Sequence, residues 1–217
     1  MDLAEINVYR MTHIGNIPHI LQHGITHTHS ENRNPDFVAI GDISLIHTRD
    51  NRQVRVDNGN VNFDANLITL GDFIPFYFGI KMPMLYVIQN GGNFVTQATP
   101  AQDIIYLACS VERIIKTQKN YYFSDGHATD SLTTFYDNSK VNDLPDIVDW
   151  NAVKASYWGG QDNLNIKRKK QAEFLVAEDL SPDLILGFVC YNEAVKTTLT
   201  ELGIDNSKIK VIPGAYY

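Results

Sequence analysis

The stretch Phe73-Ile74-Pro75-Phe76-Tyr77-Phe78 constrains the fold of this chain more than any other. Its aromatic and β-branched residues suit a strand packed on a core. Pro75 has no amide hydrogen, so in a ladder it is confined to an edge, a bulge or a strand start. The other apolar segments are short. Alternation predicts a strand over 7–12. Apolar runs predict strands over 103–109, 173–176 and 184–191, with shorter ones over 121–123 and 209–212. A short helix is predicted over 16–23, with Pro18 in its first turn and Gly24 as its stop. Helical spacing recurs over 111–116 and over 144–155, where Asp143 is the prospective N-cap. Asn192 caps a further helix reaching about residue 202. Segments 24–36 and 50–69 are rich in Asn, Asp and His and read as loops, of a length that tends to be functional.

The sum is a mixed α+β domain with several short strands. No Gly-x-Gly-x-x-Gly follows a strand, so a dinucleotide, if bound, is not held in a Rossmann cleft. No repeat or linker divides the 217 residues, and one domain over 1–217 is the simplest account. A composition 44% hydrophobic and 20% charged is that of a soluble globular protein. No run approaches the roughly 18 apolar residues of a membrane span, and the acidic start Met1-Asp2-Leu3-Ala4-Glu5 is unlike a secretory signal. Cys109 and Cys190 sit inside apolar runs, as buried free thiols of a reducing compartment do, so a cytoplasmic location is expected. The net charge of −7 argues against a protein that coats DNA non-specifically, while leaving a local basic groove open.

Gln171-Ala172-Glu173 opens an apolar strand, and alternation directs Gln171 and Glu173 to one face. The neighbouring run Lys167-Arg168-Lys169-Lys170 favours the charged carboxylate. A glutamate at a strand start can accept hydrogen bonds from a sugar diol and stabilise a nearby cation. Taken alone, the motif is equally an exposed strand edge, and the basic run equally a solvated helix face. His127 follows a strand in a tight polar turn and is equally a loop histidine bonded to backbone. Arg49, Arg52 and Arg55 alternate near a polar loop, where they suit either solvent or phosphates. His23, His27 and His29 are spaced like metal ligands, yet no carboxylate or cysteine completes a set, so no metal is expected.

Together these pieces resemble one family. The series begins with Tyr9-Arg10-Met11-Thr12-His13-Ile14-Gly15-Asn16-Ile17-Pro18 and continues with Ile40-Gly41 and Leu45-Ile46-His47-Thr48-Arg49. The blocks Asp72-Phe73-Ile74-Pro75-Phe76-Tyr77-Phe78, Met82-Pro83-Met84-Leu85 and Ser124-Asp125-Gly126-His127-Ala128 follow, then Lys169-Lys170-Gln171-Ala172-Glu173 and Gly187-Phe188-Val189-Cys190-Tyr191. In this order and spacing they resemble the DarT toxins, the DNA ADP-ribosyltransferases of bacterial toxin–antitoxin pairs. The resemblance implies a compact ADP-ribosyltransferase-like α+β fold, two small packed β-sheets with flanking helices and NAD⁺ in the cleft between them. It implies Glu173 as the catalytic glutamate and Arg49 as the arginine that grips the cofactor and assists proton removal. Cofactor contacts are expected from Arg10, Met11, Thr12, Asn16, Gly24, Ile40, Arg49 and Tyr77, and His127 is expected to help position the base.

The expected reaction transfers ADP-ribose from NAD⁺ to a base of single-stranded DNA, thymidine first and guanosine as the other base. Duplex pairing hides the edge to be modified. The run Lys167 to Lys170, Lys169 and Lys170 above all, reads as a phosphate track, with Tyr157 and Trp158 stacking bases. The expected partners are single-stranded DNA and a macrodomain antitoxin of the DarG type, with no membrane and a monomeric state. A protein acceptor is the main alternative. Arginine-directed relatives carry Glu-x-Glu, so Gln171 disfavours arginine and leaves Asn or Gln open. An NAD⁺ glycohydrolase and a non-catalytic nucleic-acid-binding domain are the others, and the presence of both Glu173 and Arg49 disfavours the latter.

Overall fold

The computed structural model describes residues 1–59, 66–92, 95 and 97–217. In chain order its strands are β1 (Asn7–His13), β2 (Gln53–Arg55), β3 (Leu67–Thr69), β4 (Ile74–Tyr77), β5 (Ile104–Ser110), β6 (Tyr121–Ser124), β7 (Phe135–Asp137), β8 (Glu173–Val176), β9 (Ile185–Cys190) and β10 (Ile209–Val211). The helices are α1 (Ile17–His23), α2 (Ile43–Asn51), α3 (Pro83–Asn90), α4 (Val111–Thr117), α5 (Leu144–Ile147), α6 (Trp150–Lys154), α7 (Leu164–Lys170) and α8 (Glu193–Glu201). An eight-stranded sheet runs β10-β9-β5-β1-β4-β8-β6-β7, and β2 and β3 form a separate hairpin.

The large sheet is two halves. β1 and β5 pair over the whole length of β1, from Asn7↔Ser110 to His13↔Ile104. β4 and β8 pair from Ile74↔Val176 to Tyr77↔Glu173. The halves are joined by one registered pair, Tyr9↔Tyr77. Pro75 explains the break. Its missing amide hydrogen would have faced β1, because the amide and carbonyl of one strand residue point to the same neighbour. The Pro75 carbonyl on that side accepts instead from Arg10 Nη1 at 2.9 Å. The proline thus lies inside the sheet in sequence order but at a local edge, as its chemistry requires.

β5 is apolar from Ile104 to Cys109 because both of its faces are covered. Ile105, Leu107 and Cys109 enter the main core, and Ile104 and Tyr106 pack on the other face with Leu85, Val189 and Tyr216. Cys109 and Cys190 are buried and free. α1 stops at Gly24, whose φ of +82° is open only to glycine at low cost. A Cβ there would also meet the Leu180 carbonyl oxygen.

The expected helix over 144–155 is two short ones. Asp143 makes no side-chain cap. Val148 turns extended, and Asp149 Oδ1 accepts the Ala152 amide at 3.0 Å, starting α6 afresh. The expected loop over 50–69 contains the end of α2 and the β2–β3 hairpin, with 60–65 outside the described residues. α2, α3 and β7 were not foreseen as elements.

Candidate active site

Glu173 is the first residue of β8, 1% exposed, at the seam where the two half-sheets meet. Its amide donates to Ser124 Oγ at 3.1 Å, and that hydroxyl donates to the Gly126 carbonyl at 2.7 Å. The end of β6 therefore fixes the backbone from which the carboxylate projects. The Ala128 amide donates to Glu173 Oε1 at 3.3 Å. Arg49 Nη1 donates to Oε1 at 3.1 Å and to Oε2 at 2.9 Å, across 124 residues of chain. The carboxylate's cationic partner is thus Arg49, and the adjacent basic run plays no part in it.

Arg49 is carried by α2, a helix with no buried residue of its own. Asp42 caps it, accepting the Ser44 and Leu45 amides at 2.9 and 3.1 Å. Its far end rests on Gly71, where a Cβ would lie 2.7 Å from the Asp50 backbone. α2 therefore stands over the seam like a beam held at both ends. Arg49 Nη2 is buried and has no hydrogen-bond partner among the described residues. A buried donor left unpaired costs free energy, so this atom fits an oxygen-bearing ligand.

A cavity of about 360 Å³ opens on one side of Arg49 and one of about 190 Å³ on the other. Arg10, Arg49, Phe37 and Pro75 line both, forming the neck between them. The larger takes in His27 and Arg33, the smaller Met11, Ile40, Tyr77 and His127. Burial, and then Arg49, pull the Arg10 guanidinium down to about 10, which leaves it charged at neutral pH. Burial, and then Glu173, push the Tyr77 hydroxyl up, so it stays protonated. Burial holds the His127 imidazole below its ordinary value despite the opposing pull of Glu173. His127 Nδ1 lies 3.0 Å from Thr129 Oγ1.

Of the expected cofactor residues, Arg10, Met11, Ile40, Arg49 and Tyr77 line these cavities, and Thr12, Asn16 and Gly24 do not. Gly24 is spent on the turn against Leu180. Asn16 is 1% exposed, and Thr12 Oγ1 accepts from its Nδ2 at 3.0 Å. Its amide clasps Val38 on both sides, Nδ2 donating to the carbonyl and Oδ1 accepting the amide, each at 2.9 Å. Asn16 therefore acts on the site through the loop carrying Phe37 and Ala39. Gln171 ends α7 and donates to the Lys167 carbonyl at 3.1 Å, so it does not share the face of Glu173.

The basic run is a correction. Lys170 is 3% exposed and donates to the Val153 carbonyl at 2.8 Å, and Lys169 pairs with Asp149 at 2.9 Å. Arg168 pairs with Asp125 at 3.0 Å. Lys169 and Lys170 fasten α7 to α6, so neither forms an open phosphate track; only Lys167 of the run is exposed. Tyr157 is exposed. Of the three spaced histidines, His27 is tied to backbone: its Nε2 lies 2.8 Å from the Gly71 carbonyl oxygen, and its Nδ1 accepts the His29 amide. Residues of the site not foreseen are Ser124, Thr129 and Phe37. The sequence held one usable signal for α2, the Asp42 cap.

The sequence profile of the family described as "ssDNA thymidine ADP-ribosyltransferase, DarT" matches residues 9–217. This chain belongs to the DarT family. A DNA ADP-ribosyl transferase from Thermus sp. (strain 2.9) is 31% identical over 189 residues, which cover 87% of this chain and 82% of that protein. A Thermosipho africanus relative, described as a DNA ADP-ribosyl transferase–DNA ADP-ribosyl glycohydrolase fusion protein, is 29% identical over 208 residues, 95% of this chain and 47% of that protein. The solved structure of Thermus sp. 2.9 DarT in complex with ADP-ribosylated ssDNA superposes with a TM-score of 0.79 at 25% identity, covering 98% of this chain and 96% of that one. The chain thus shares the overall fold of that DarT structure.

Proposed function

We propose that Glu173 and Arg49 are the catalytic pair with which this DarT-family chain transfers ADP-ribose from NAD⁺ to thymidine in single-stranded DNA. The enzyme class, an NAD⁺-dependent DNA ADP-ribosyltransferase, follows from family membership. The observation that carries the residue assignment is the Arg49–Glu173 contact at the seam, with Arg49 Nη2 left over for a ligand.

The cavities suit a dinucleotide. Two chambers joined at a neck lined by Arg10 and Arg49 match two nucleoside halves joined by a diphosphate. Arginine forks suit phosphate oxygens. The chamber holding Tyr77 and His127 then takes the nicotinamide riboside half and the acceptor base. Cleavage of the bond between nicotinamide and ribose develops positive charge at the anomeric carbon. The Glu173 carboxylate accepts a hydrogen bond from the ribose hydroxyl and stabilises that charge. A ring nitrogen of the base bonds to the anomeric carbon as the bond to nicotinamide breaks, nicotinamide leaves with that bond's electron pair, and the proton lost by the ring nitrogen passes to solvent. Arginine has too high a pKa to take that proton efficiently, so Arg49 orients the groups and stabilises charge. His127, held neutral, is placed to accept a hydrogen bond from the base.

One catalytic domain spanning 1–217 is part of this reading, as is a macrodomain antitoxin of the DarG type. The Thermosipho relative, in which a transferase and a DNA ADP-ribosyl glycohydrolase share one chain, supports the latter. The test is mass spectrometry of mixed single-stranded oligonucleotides after incubation with NAD⁺. Addition of ADP-ribose to thymidine, lost in Glu173→Ala, is expected. Modification of guanosine corrects the base, and labelling by Glu173→Ala at the wild-type rate overturns the catalytic assignment.

A further inference from the structure

Beside the smaller cavity lies a surface cluster that the reaction at Glu173 does not use. Tyr86, Trp158 and Tyr217 meet edge to face in all three pairings, with centroids 5.9, 5.2 and 6.5 Å apart. Trp158 Nε1 donates to the Tyr217 hydroxyl at 2.9 Å, and that hydroxyl donates to the Lys81 carbonyl at 3.1 Å. Tyr86 and Tyr217 are exposed. Lys81 holds its ammonium 5.0 Å from the Tyr217 ring, and Lys167 holds its own 5.5 Å from the Trp158 ring. Lys81 sits in the left-handed region at φ 56°. Its amide donates to the Tyr106 hydroxyl and its carbonyl accepts from Tyr217, so both strap it in that conformation.

The cluster shares structural elements with the site at both ends. Lys167 belongs to the last turn of α7, where the His127 amide donates to the neighbouring Arg168 carbonyl at 2.9 Å. Its charge is close enough to contribute to holding His127 neutral. At the other end, Tyr86 lies on α3, whose Met84 and Ile88 line the chamber that holds His127. On a chain of net charge −7, exposed rings interleaved with lysines match a backbone of phosphates carrying planar bases.

We infer that Tyr86, Trp158 and Tyr217, flanked by Lys81 and Lys167, form the platform that binds the nucleotides beside the acceptor base in single-stranded DNA. This rests on the DNA-modifying reading above and goes beyond it by assigning the flanking contacts. Rings stack on bases of any sequence, so the platform gives affinity with little sequence preference. Lys167 takes over the phosphate role that Lys169 and Lys170 cannot fill.

The test uses the full chain and two fluorescent oligothymidylates, one just long enough to present the acceptor and one extended by several nucleotides on either side. Fluorescence anisotropy reads binding, and mass spectrometry after incubation with NAD⁺ reads modification. The extended probe is expected to bind on the order of tenfold tighter than the short one. Trp158→Ala is expected to erase that advantage and Trp158→Phe to keep most of it. Lys167→Glu, at an exposed position, is expected to erase it too and to lower the slope of log Kd against log salt by roughly 0.7. If Trp158→Ala unfolds by circular dichroism, Lys167→Glu decides alone. A length advantage and salt slope that survive Lys167→Glu overturn the platform. Failure of the wild type to modify either probe overturns the thymidine assignment instead, and the anisotropy arm still judges the platform.

Discussion

Arg10 and Pro75 complete each other across the break in the sheet. A side-chain guanidinium occupies the position of a strand neighbour, donating at 2.9 Å to a carbonyl 65 residues away. Loss of the donor leaves that carbonyl short of a partner, at a cost of about 1–3 kcal/mol. Arg10→Met is therefore expected to lower the denaturation midpoint accordingly. It also removes one of two cations at the neck, so KM for NAD⁺ is expected to rise. Equilibrium unfolding in urea and initial-rate kinetics check both. An Arg10→Met protein with an unchanged midpoint shows that the bond to Pro75 contributes nothing.

Arg49 divides its guanidinium between two tasks. Nη1 holds both oxygens of Glu173, while Nη2 is free of protein partners among the described residues. Lysine supplies a point charge for one task and lacks the fixed fork needed for both. Arg49→Lys is expected to lower kcat on the order of 100-fold, the scale for losing one aimed donor at a developing charge. Single-turnover kinetics with saturating oligonucleotide give the number. Wild-type kcat with only KM raised places Arg49 in cofactor binding alone.

The legible parts of this molecule are those governed by local rules. Pro75 limited its segment to an edge, a bulge or a strand start, Gly24 announced a helix stop and Asn192 a cap, and each effect acts within a few residues. The resemblance placed Glu173 and Arg49, which the structure brings together. The misread parts depend on partners distant in sequence. A basic run ending a helix looks the same whether it is solvated or tied down. Lys169 and Lys170 are tied by Asp149 and Val153, 20 and 17 residues away. α2 escaped notice because it buries no residue and so has no apolar stripe to betray its period. Asn16 faces the loop it holds, which only the fold brings within reach.

His127 gives the fold an acid-sensitive term. Burial lowers its imidazole below the ordinary value of 6.5. As pH falls through that value the unfolded chain takes up a proton before the folded one does, so linkage favours unfolding. The stability due to a neutral His127 is full above about 6.5 and is lost as pH falls through the folded value. Urea midpoints of wild type and His127→Gln, compared from neutral to mildly acidic pH, are expected to converge on acidification. Parallel curves would show that His127 titrates normally.

Asn16 reaches the cavities only by way of a loop. Its carboxamide replaces a backbone neighbour for Val38, bonding the amide and the carbonyl of the same residue. Phe37 and Ala39 on either side of that clasp line both cavities. Asn16→Ala leaves the Val38 groups without this partner and frees the loop. Asn16→Asp keeps the acceptor for the Val38 amide but sets a carboxylate oxygen against the Val38 carbonyl, so it is expected to be worse than alanine. In both variants amide exchange over 34–41 is expected to accelerate, and KM for NAD⁺ to rise by more than kcat falls. A residue touching the reacting atoms would instead depress kcat while the loop stayed protected. Protected amides over 34–41 in Asn16→Ala, together with a collapsed kcat, would move Asn16 from a positioning residue to a catalytic one.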